Sequence, residues 1–284
     1  RKYRSRVRDY PEIAGHMPIT VLQDEILEPG PGQIRAVVVD GCNPLRGYAE
    51  ATKMERAFDD LELLVSIDPY LTEVGRQADY VLPSCSFYEL DNISCAGAES
   101  FPERFVQYTP RIRPPRGESR PEWAIYRDLI AAMGLPLVGS GPLSKALGAA
   151  FRAGNKVLGG ERELPEHFFR GLCRKAGLSF ETLMAAPHGL ILVGEVDMMA
   201  QIRHRDGKAR LDVPEFIAAA EALPRTAPEP DPQYPLLLST TCRTSANINT
   251  LIRDHDWMER HPGCQTLQMN RDDGLGLGIA DGET

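Results

Sequence analysis

Short apolar runs alternate with stretches of helical character along residues 19–135, and that alternation is the strongest pattern in the chain. Residues 34–39 read IRAVVV, a near-continuous apolar run, followed at once by Asp40-Gly41-Cys42-Asn43-Pro44. Glycine and proline interrupt a strand, so a loop is expected there. Ala49 to Asp59 has helix-forming composition, and Leu61 to Ile67 is a second buried run closed by Asp68-Pro69. Leu71 to Ala78 suits a short helix, after which Tyr80-Val81-Leu82 forms a third run ending at Pro83. Strand-sized apolar runs separated by helices predict an α/β fold with parallel strands and crossover helices.

Beyond residue 136 the pattern thins. Helical patches at Glu166–Lys175 and Pro214–Leu223, a strand at Leu190–Val193 and a surface hairpin across Asp197–Arg210 predict a less regular connecting region. Five prolines between Pro224 and Pro235 predict an extended linker and a boundary. Leu236 to Thr240 then predicts a new strand, and the glycines from Gly274 to Gly282 predict the turns that open a β-barrel. Three segments follow: an α/β domain over 1–135, a connecting region over 136–232, and the first part of a barrel over 233–284.

The 284 residues suffice for a buried core, and 42% hydrophobic against 25% charged residues excludes global disorder. Forty acidic against 32 basic residues give a net charge of −8, which argues against general nucleic-acid binding. The longest apolar runs are strand-sized, well short of the ~20 residues of a membrane helix, so no membrane insertion is expected. Six cysteines without a C-x-x-C spacing fit neither an iron–sulfur nor a structural zinc motif. The first residue is Arg1 and the last four are Asp281-Gly282-Glu283-Thr284. These ends suggest an internal piece of a longer polypeptide, with any leader, and so the choice between cytoplasm and periplasm, upstream.

In an open parallel sheet, ligands bind at the carboxyl ends of the strands. After the first strand stand Gly41, Asn43 and Pro44; after the second stands Asp68, followed by Thr72 and Glu73. A carboxylate can accept from both the N1–H and N2–H₂ donors of guanine, which adenine does not offer. The two loops together suggest a guanine nucleotide site. Each taken alone also reads as a plain turn or a helix cap. Cys42 reads as a small apolar residue. The Arg253-Asp254-His255-Asp256 run, with Glu259 and His261, reads as a polar helix face rather than a metal cluster. No G-x-S-x-G, P-loop or G-x-G-x-x-G occurs, so neither a hydrolase nor an ordinary NAD domain is supported.

The order of several segments adds a resemblance. Residues 31–36 (PGQIRA), 41–44 (GCNP), 65–73 (VSIDPYLTE), 78–83 (ADYVLP), 114–123 (PPRGESRPEW) and 241–243 (TCR), with a looser echo at 206–211 (DGKARL), occur in this sequence in the order and spacing of one family. As a set they resemble the molybdopterin-dependent oxidoreductases of the dimethyl sulfoxide reductase family, over roughly residues 20–135 and 233–284. The resemblance implies the later part of a Rossmann-like molybdopterin oxidoreductase domain, followed by the start of a C-terminal β-barrel dinucleotide-binding domain. It implies a molybdenum or tungsten atom held between two molybdopterin guanine dinucleotides, for oxygen-atom or electron transfer of the kind used in anaerobic respiration. Carried over residue by residue as the cofactor-binding set, Gly41, Asn43 and Asp68 would contact one guanosine end, Thr72 and Glu73 would support the same loop, and Asp79 would brace its neighbouring turn. Thr241, Arg243, Asn247, Asn249 and Arg253 would lie along the phosphates and pterin, where a guanidinium gives forked bonds to phosphate.

Val74 departs from the second threonine that many members carry. The resemblance places an iron–sulfur cluster and the metal-ligating side chain upstream, so no residue of this chain is assigned as catalytic. Implied partners are the missing N-terminal part of the same chain and an iron–sulfur electron-transfer subunit, with no nucleic acid. Two alternatives share the fold: a non-redox hydratase or transhydroxylase using the same cofactor, and a cofactor-free structural subunit of a respiratory complex. Asn43, Asp68 and Arg243 argue against the last, since an empty pocket has no need of such polar groups.

Overall fold

The computed structural model describes residues 3–12, 15–94, 103–135, 164–175, 177–195, 199, 202, 204–224, 231–237, 260 and 267–283. The chain divides into two compact units, residues 1–208 and 209–284.

Three parallel strands, β1 (Ala36–Asp40), β2 (Leu63–Asp68) and β3 (Tyr80–Pro83), organise the first unit in the order β1-β2-β3. Their register sets Asp40 beside Ile67 and Asp68 beside Pro83, so the three carboxyl ends share one edge. Helices α2 (Pro44–Gly47) and α3 (Ala51–Asp59) connect β1 to β2, and α4 (Glu73–Gln77) connects β2 to β3. This is the expected α/β sheet, with strand ends moved by one or two residues.

β2 is buried on both faces, which is why its sequence is apolar without alternation. Leu64 packs into a core with Ile26 of α1 (Leu22–Leu27), Val39, Met54, Phe58 and Val74. Val65 and Ile67 point the other way, against Ile125 of α5 (Glu122–Ala132). Residues 3–12 are clipped to α1 by ion pairs from Arg8 to Asp24 at 2.5 Å and from Arg6 to Glu25 at 3.4 Å, and Lys53 of α3 joins Asp24 at 2.7 Å.

A second core builds on antiparallel pairs. β4 (Asn92–Ile93) pairs with β6 (Tyr108–Thr109), and β5 (Glu103–Val106) pairs with β7 (Leu190–Glu195). Ile93, Val106, Phe169 and Cys173 of α6 (Leu164–Lys175), and Phe180 and Leu183 of α7 (Phe180–Met184), close over them. Tyr108 meets Phe180 edge-on with ring centroids 5.2 Å apart. The helix and the strand expected here are both present.

Three local expectations meet the structure only in part. Residues 204–207 form a turn, with Gly207 N donating to His204 O at 2.9 Å, and residues 208–213 form no strand, while most of the first arm of the expected hairpin lies outside the described residues. The glycine-rich stretch from Gly274 is helical: α9 (Arg271–Leu277) follows α8 (Pro214–Glu221) in the second unit. Asn270 caps α9 by accepting from Asp272 N at 2.8 Å, and Gly278 ends it at φ +73°. Capping at both ends outweighs the low helix propensity of two internal glycines. Leu236 and Leu237 are not in a strand, and residues 238–240 lie outside the described residues. In the proline-rich stretch, Asp231–Tyr234 closes a tight turn, Tyr234 N to Asp231 O at 2.8 Å, while 225–230 lie outside the described residues.

Candidate functional site

The loop after β1 begins at Gly41, whose N–H still donates to Ile67 O at 2.9 Å and so ties the loop to the end of β2. Gly41 then turns at φ +59°, a left-handed conformation that favours glycine. Asn43 follows at the N-cap of α2, where Pro44 occupies the first helical position. Its side chain does not cap that helix. Instead, Asn43 Nδ2 donates to Glu73 Oε2 at 2.6 Å, joining the loop after β1 to the helix after β2. Asn43 is buried, at 7% exposure, and its Oδ1 has no hydrogen-bond partner. A buried carbonyl oxygen in that state costs roughly 1–3 kcal/mol unless something accepts the invitation.

The loop after β2 is equally local in origin. Asp68, also buried, accepts from Tyr70 N at 2.8 Å through Oδ1, an Asx turn around Pro69. Thr72 caps α4 by accepting from Gly75 N at 3.1 Å. Glu73 in the first turn of α4 receives Asn43 on one oxygen and Arg46 Nε on the other, at 3.0 Å. Its own backbone N–H, together with the Asn43 and Arg46 bonds, holds its carboxyl below the usual carboxylate range against the opposing effect of burial.

Asp79 is placed elsewhere. It precedes β3 and exchanges bonds with the start of β2: its N–H donates to Leu64 O at 2.9 Å and its Oδ2 accepts from Leu64 N at 2.7 Å. Four residue steps along the strand separate Leu64 from Asp68, about 13 Å at ~3.3 Å per residue. Asp79 therefore braces the opposite end of the sheet rather than joining the guanosine-end set. Gly41, Asn43, Asp68, Thr72 and Glu73 come together at the carboxyl edge. Thr241, Arg243, Asn247, Asn249 and Arg253 lie outside the described residues.

The structure adds residues that sequence reasoning left without a role. Arg120 N donates to Pro83 O at 3.0 Å and Cys85 N to Arg120 O at 3.0 Å, so the segment entering α5 continues the edge of β3. That brings α5 to the same strand ends. Tyr126 donates its hydroxyl to Asp40 Oδ2 at 2.9 Å. Burial and the Asp40 carboxylate push the Tyr126 phenol up to about 12. Burial, then the nearby Asp40 and Asp68, push the Glu122 carboxyl up, with the Ser84 hydroxyl opposing. Burial and the same two carboxylates also raise the Cys42 thiol, the reverse of what a reactive or metal-binding cysteine requires. In the sequence Asp40 reads as the start of the loop after the first run, and Pro121-Glu122 only as part of the segment 114–123; nothing in the sequence links the two.

The edge thus carries four carboxyls, from Asp40, Asp68, Glu73 and Glu122, with Arg46 as its basic neighbour on Glu73. Such an arrangement attracts hydrogen-bond donors and repels phosphate. Among the described residues no group of three or more His, Cys, Asp or Glu has the arrangement of a metal site. Nor is any of their helices long and apolar enough to cross a membrane.

A parallel sheet with polar side chains gathered at its carboxyl edge is the architecture of a nucleotide- or cofactor-binding α/β domain. Residues 17–132 match the family model of the molybdopterin oxidoreductases. Formate dehydrogenase H of Escherichia coli (strain K12) is 31% identical over 106 residues, which are 37% of this chain and 14% of that protein. The F420-dependent formate dehydrogenase 2 subunit alpha of Methanococcus maripaludis is 26% identical over 274 residues, 93% of this chain and 36% of that protein. The chain therefore spans between 14% and 36% of the length of these relatives. Among solved structures, acetylene hydratase from Pelobacter acetylenicus aligns at 27% identity over 41% of this chain and 16% of its own, with a TM-score of 0.37.

Proposed function

We propose that the carboxyl edge of the β1-β2-β3 sheet holds the guanosine end of a molybdopterin guanine dinucleotide in a molybdenum or tungsten oxidoreductase. The observation that carries this reading is the buried Asn43 Oδ1 without a partner, set at the same strand ends as the buried carboxylate of Asp68. Both are acceptors, and a guanosine supplies donors at N1, N2 and the ribose hydroxyls. A carboxylate can accept several bonds, so the Tyr70 Asx turn and a guanine are compatible demands on Asp68. The acid-rich edge favours the base and sugar over the phosphates. By the resemblance, the phosphates would be the task of Thr241, Arg243, Asn247, Asn249 and Arg253, which lie outside the described residues.

The bound pterin and its metal would supply the redox chemistry, oxygen-atom or electron transfer. The chain's own part is to hold and orient: Gly41 lets the backbone turn close to the ligand, Thr72 fixes the start of α4, and Glu73 spans the two loops. The full polypeptide would draw its iron–sulfur cluster and metal ligand from segments outside this chain, and electrons through an iron–sulfur partner subunit.

The test is elemental analysis for molybdenum and tungsten, together with guanosine monophosphate released by acid hydrolysis, on the full-length protein purified anaerobically. Two guanosine monophosphates per metal are expected. Metal-free, nucleotide-free folded protein would overturn the reading. In Asp68→Ala the nucleotide content should fall sharply, since removing a charge-assisted bonding group costs on the order of 2–3 kcal/mol; unchanged content would reject Asp68 as a base contact.

A further inference from the structure

We infer that Glu73 is a positioning residue whose carboxylate sets which end of the Asn43 amide faces the ligand, and that Asn43 Oδ1 is thereby presented as an acceptor to an N–H or O–H donor. The inference deepens the guanosine reading above and rests on it.

An asparagine side chain can turn over by 180° and exchange its donor and acceptor ends, so an isolated buried amide offers a ligand no defined polarity. At Asn43 that ambiguity is removed by chemistry. An ionised carboxylate only accepts, so it can face the NH₂ end and not the carbonyl end. Glu73 Oε2 lies 2.6 Å from Nδ2, and turning the amide over would set two oxygens against each other at that distance. Glu73 stays ionised because its own backbone N–H, Asn43 and Arg46 all bond the charged form. Arg46 fixes the other carboxylate oxygen at 3.0 Å, which leaves the carboxylate little freedom to rotate away. The consequence is the partnerless Oδ1: the side chain spends its donor on Glu73 and leaves a buried acceptor. Nothing about the turn needs this. The helix that Asn43 starts is capped without its side chain, and the backbone carbonyl of Asn43 already takes the Arg46 and Gly47 N–H groups at 3.0 Å. An amide kept buried in one polarity, with its carbonyl unspent, selects donors.

The test uses protein made in a host unable to synthesise pterin cofactors, titrated calorimetrically with GDP, with ADP as the control nucleotide. Wild type should bind GDP saturably and ADP weakly. In Glu73→Gln the neighbour can offer either its oxygen or its NH₂, the amide loses its fixed polarity, and GDP affinity should drop at least tenfold with the urea midpoint little changed. Asn43→Asp alone sets two carboxylates together and should also bind poorly. The exchanged pair Asn43→Asp with Glu73→Gln restores a donor facing an acceptor and keeps an oxygen at the ligand position, and it should return to within about threefold of wild type.

Wild-type GDP binding with undiminished affinity in Glu73→Gln would overturn the positioning role and leave the guanosine reading standing. Wild type that binds neither nucleotide would overturn both. If Glu73→Gln does not fold, the apolar pair Asn43→Leu with Glu73→Met becomes decisive, because it deletes the acceptor without stranding a polar partner. Retained GDP affinity in that pair would overturn the inference, and its loss in a folded protein would support it.

Discussion

Thr72 shows how much a single side chain can carry at this edge. It is 2% exposed, and its hydroxyl accepts from Gly75 N–H, one of the free N–H groups in the first turn of α4, the helix that brings Glu73 to Asn43. Thr72→Ala should lower the unfolding free energy by about 1 kcal/mol, and Thr72→Ser should recover most of it, as measured by urea denaturation. Equal stability of the two variants would mean the cap is not bonded in solution. The same residue illustrates what local reasoning can reach. Thr72 and Asp68 act through bonds to residues within three positions and Gly41 through its own left-handed turn, and such roles are legible in a linear string. The role of Asn43 is only half legible: its place after a strand can be read, but its partner Glu73 lies thirty residues away.

At the scale of elements, the strands and helices follow from runs of apolar residues, while their limits follow from caps and turns. Gly189 is such a limit. It sits before β7 at φ +75°, and an added Cβ would meet Phe105 Cε2 at 2.6 Å and Val106 O at 2.7 Å. Gly189→Ala should cost at least 1–3 kcal/mol, because both the backbone conformation and the space forbid the methyl group. Gly171 is the opposite case, helical within α6 with nothing within 4 Å of its missing Cβ. Gly171→Ala should therefore raise stability by about 0.5–1 kcal/mol. Thermal unfolding of the two variants, compared with wild type, checks both signs. The stretch near Gly274 shows where reading elements from composition fails: glycines suggested turns, but Asn270 and Gly278 close a helix from its two ends. Asp272 and Asp273 in its first turn add a favourable interaction with the helix dipole.

At the scale of the whole molecule, acid stability is a shared property of buried carboxylates. Asp24 is 7% exposed and ties residues 3–12 and α3 to α1 through Arg8 and Lys53. Hydrogen bonds from Arg8 and then Lys53 hold its carboxyl below the ordinary 3.8. A carboxyl depressed in the folded state contributes stability above its unfolded value and loses it as pH falls through its folded value. Asp24→Asn should thus unfold at lower temperature than wild type at pH 7, with the gap closing as the pH drops below about 4. A gap that persists unchanged at pH 2 would show that packing, not charge, accounts for it. The first sheet gives the other global term. Leu64, 1% exposed on the central strand, sits between β1 and the helices of one face, and its replacement by alanine belongs to the 2–5 kcal/mol class of core truncations.

The sequence by itself determined the parallel strands, the helices between them and the two loops at their carboxyl ends, because apolar runs, prolines, glycines and cap residues act over a few positions. It also carried the resemblance to one family, through short segments in a fixed order. Tertiary structure decided which polar groups meet. The pairing of Arg120 with Pro83 and Cys85 swings α5 to the strand ends, so that Tyr126 reaches Asp40 and Glu122 comes near Asp68. The register of β2 with β3 sends Asp79 to the far end of the sheet, and the approach of α4 to the loop after β1 turns Asn43 into a buried acceptor. Those outcomes depend on contacts between residues 15 to 86 positions apart, and distances of that kind are fixed by packing rather than by the order of residues.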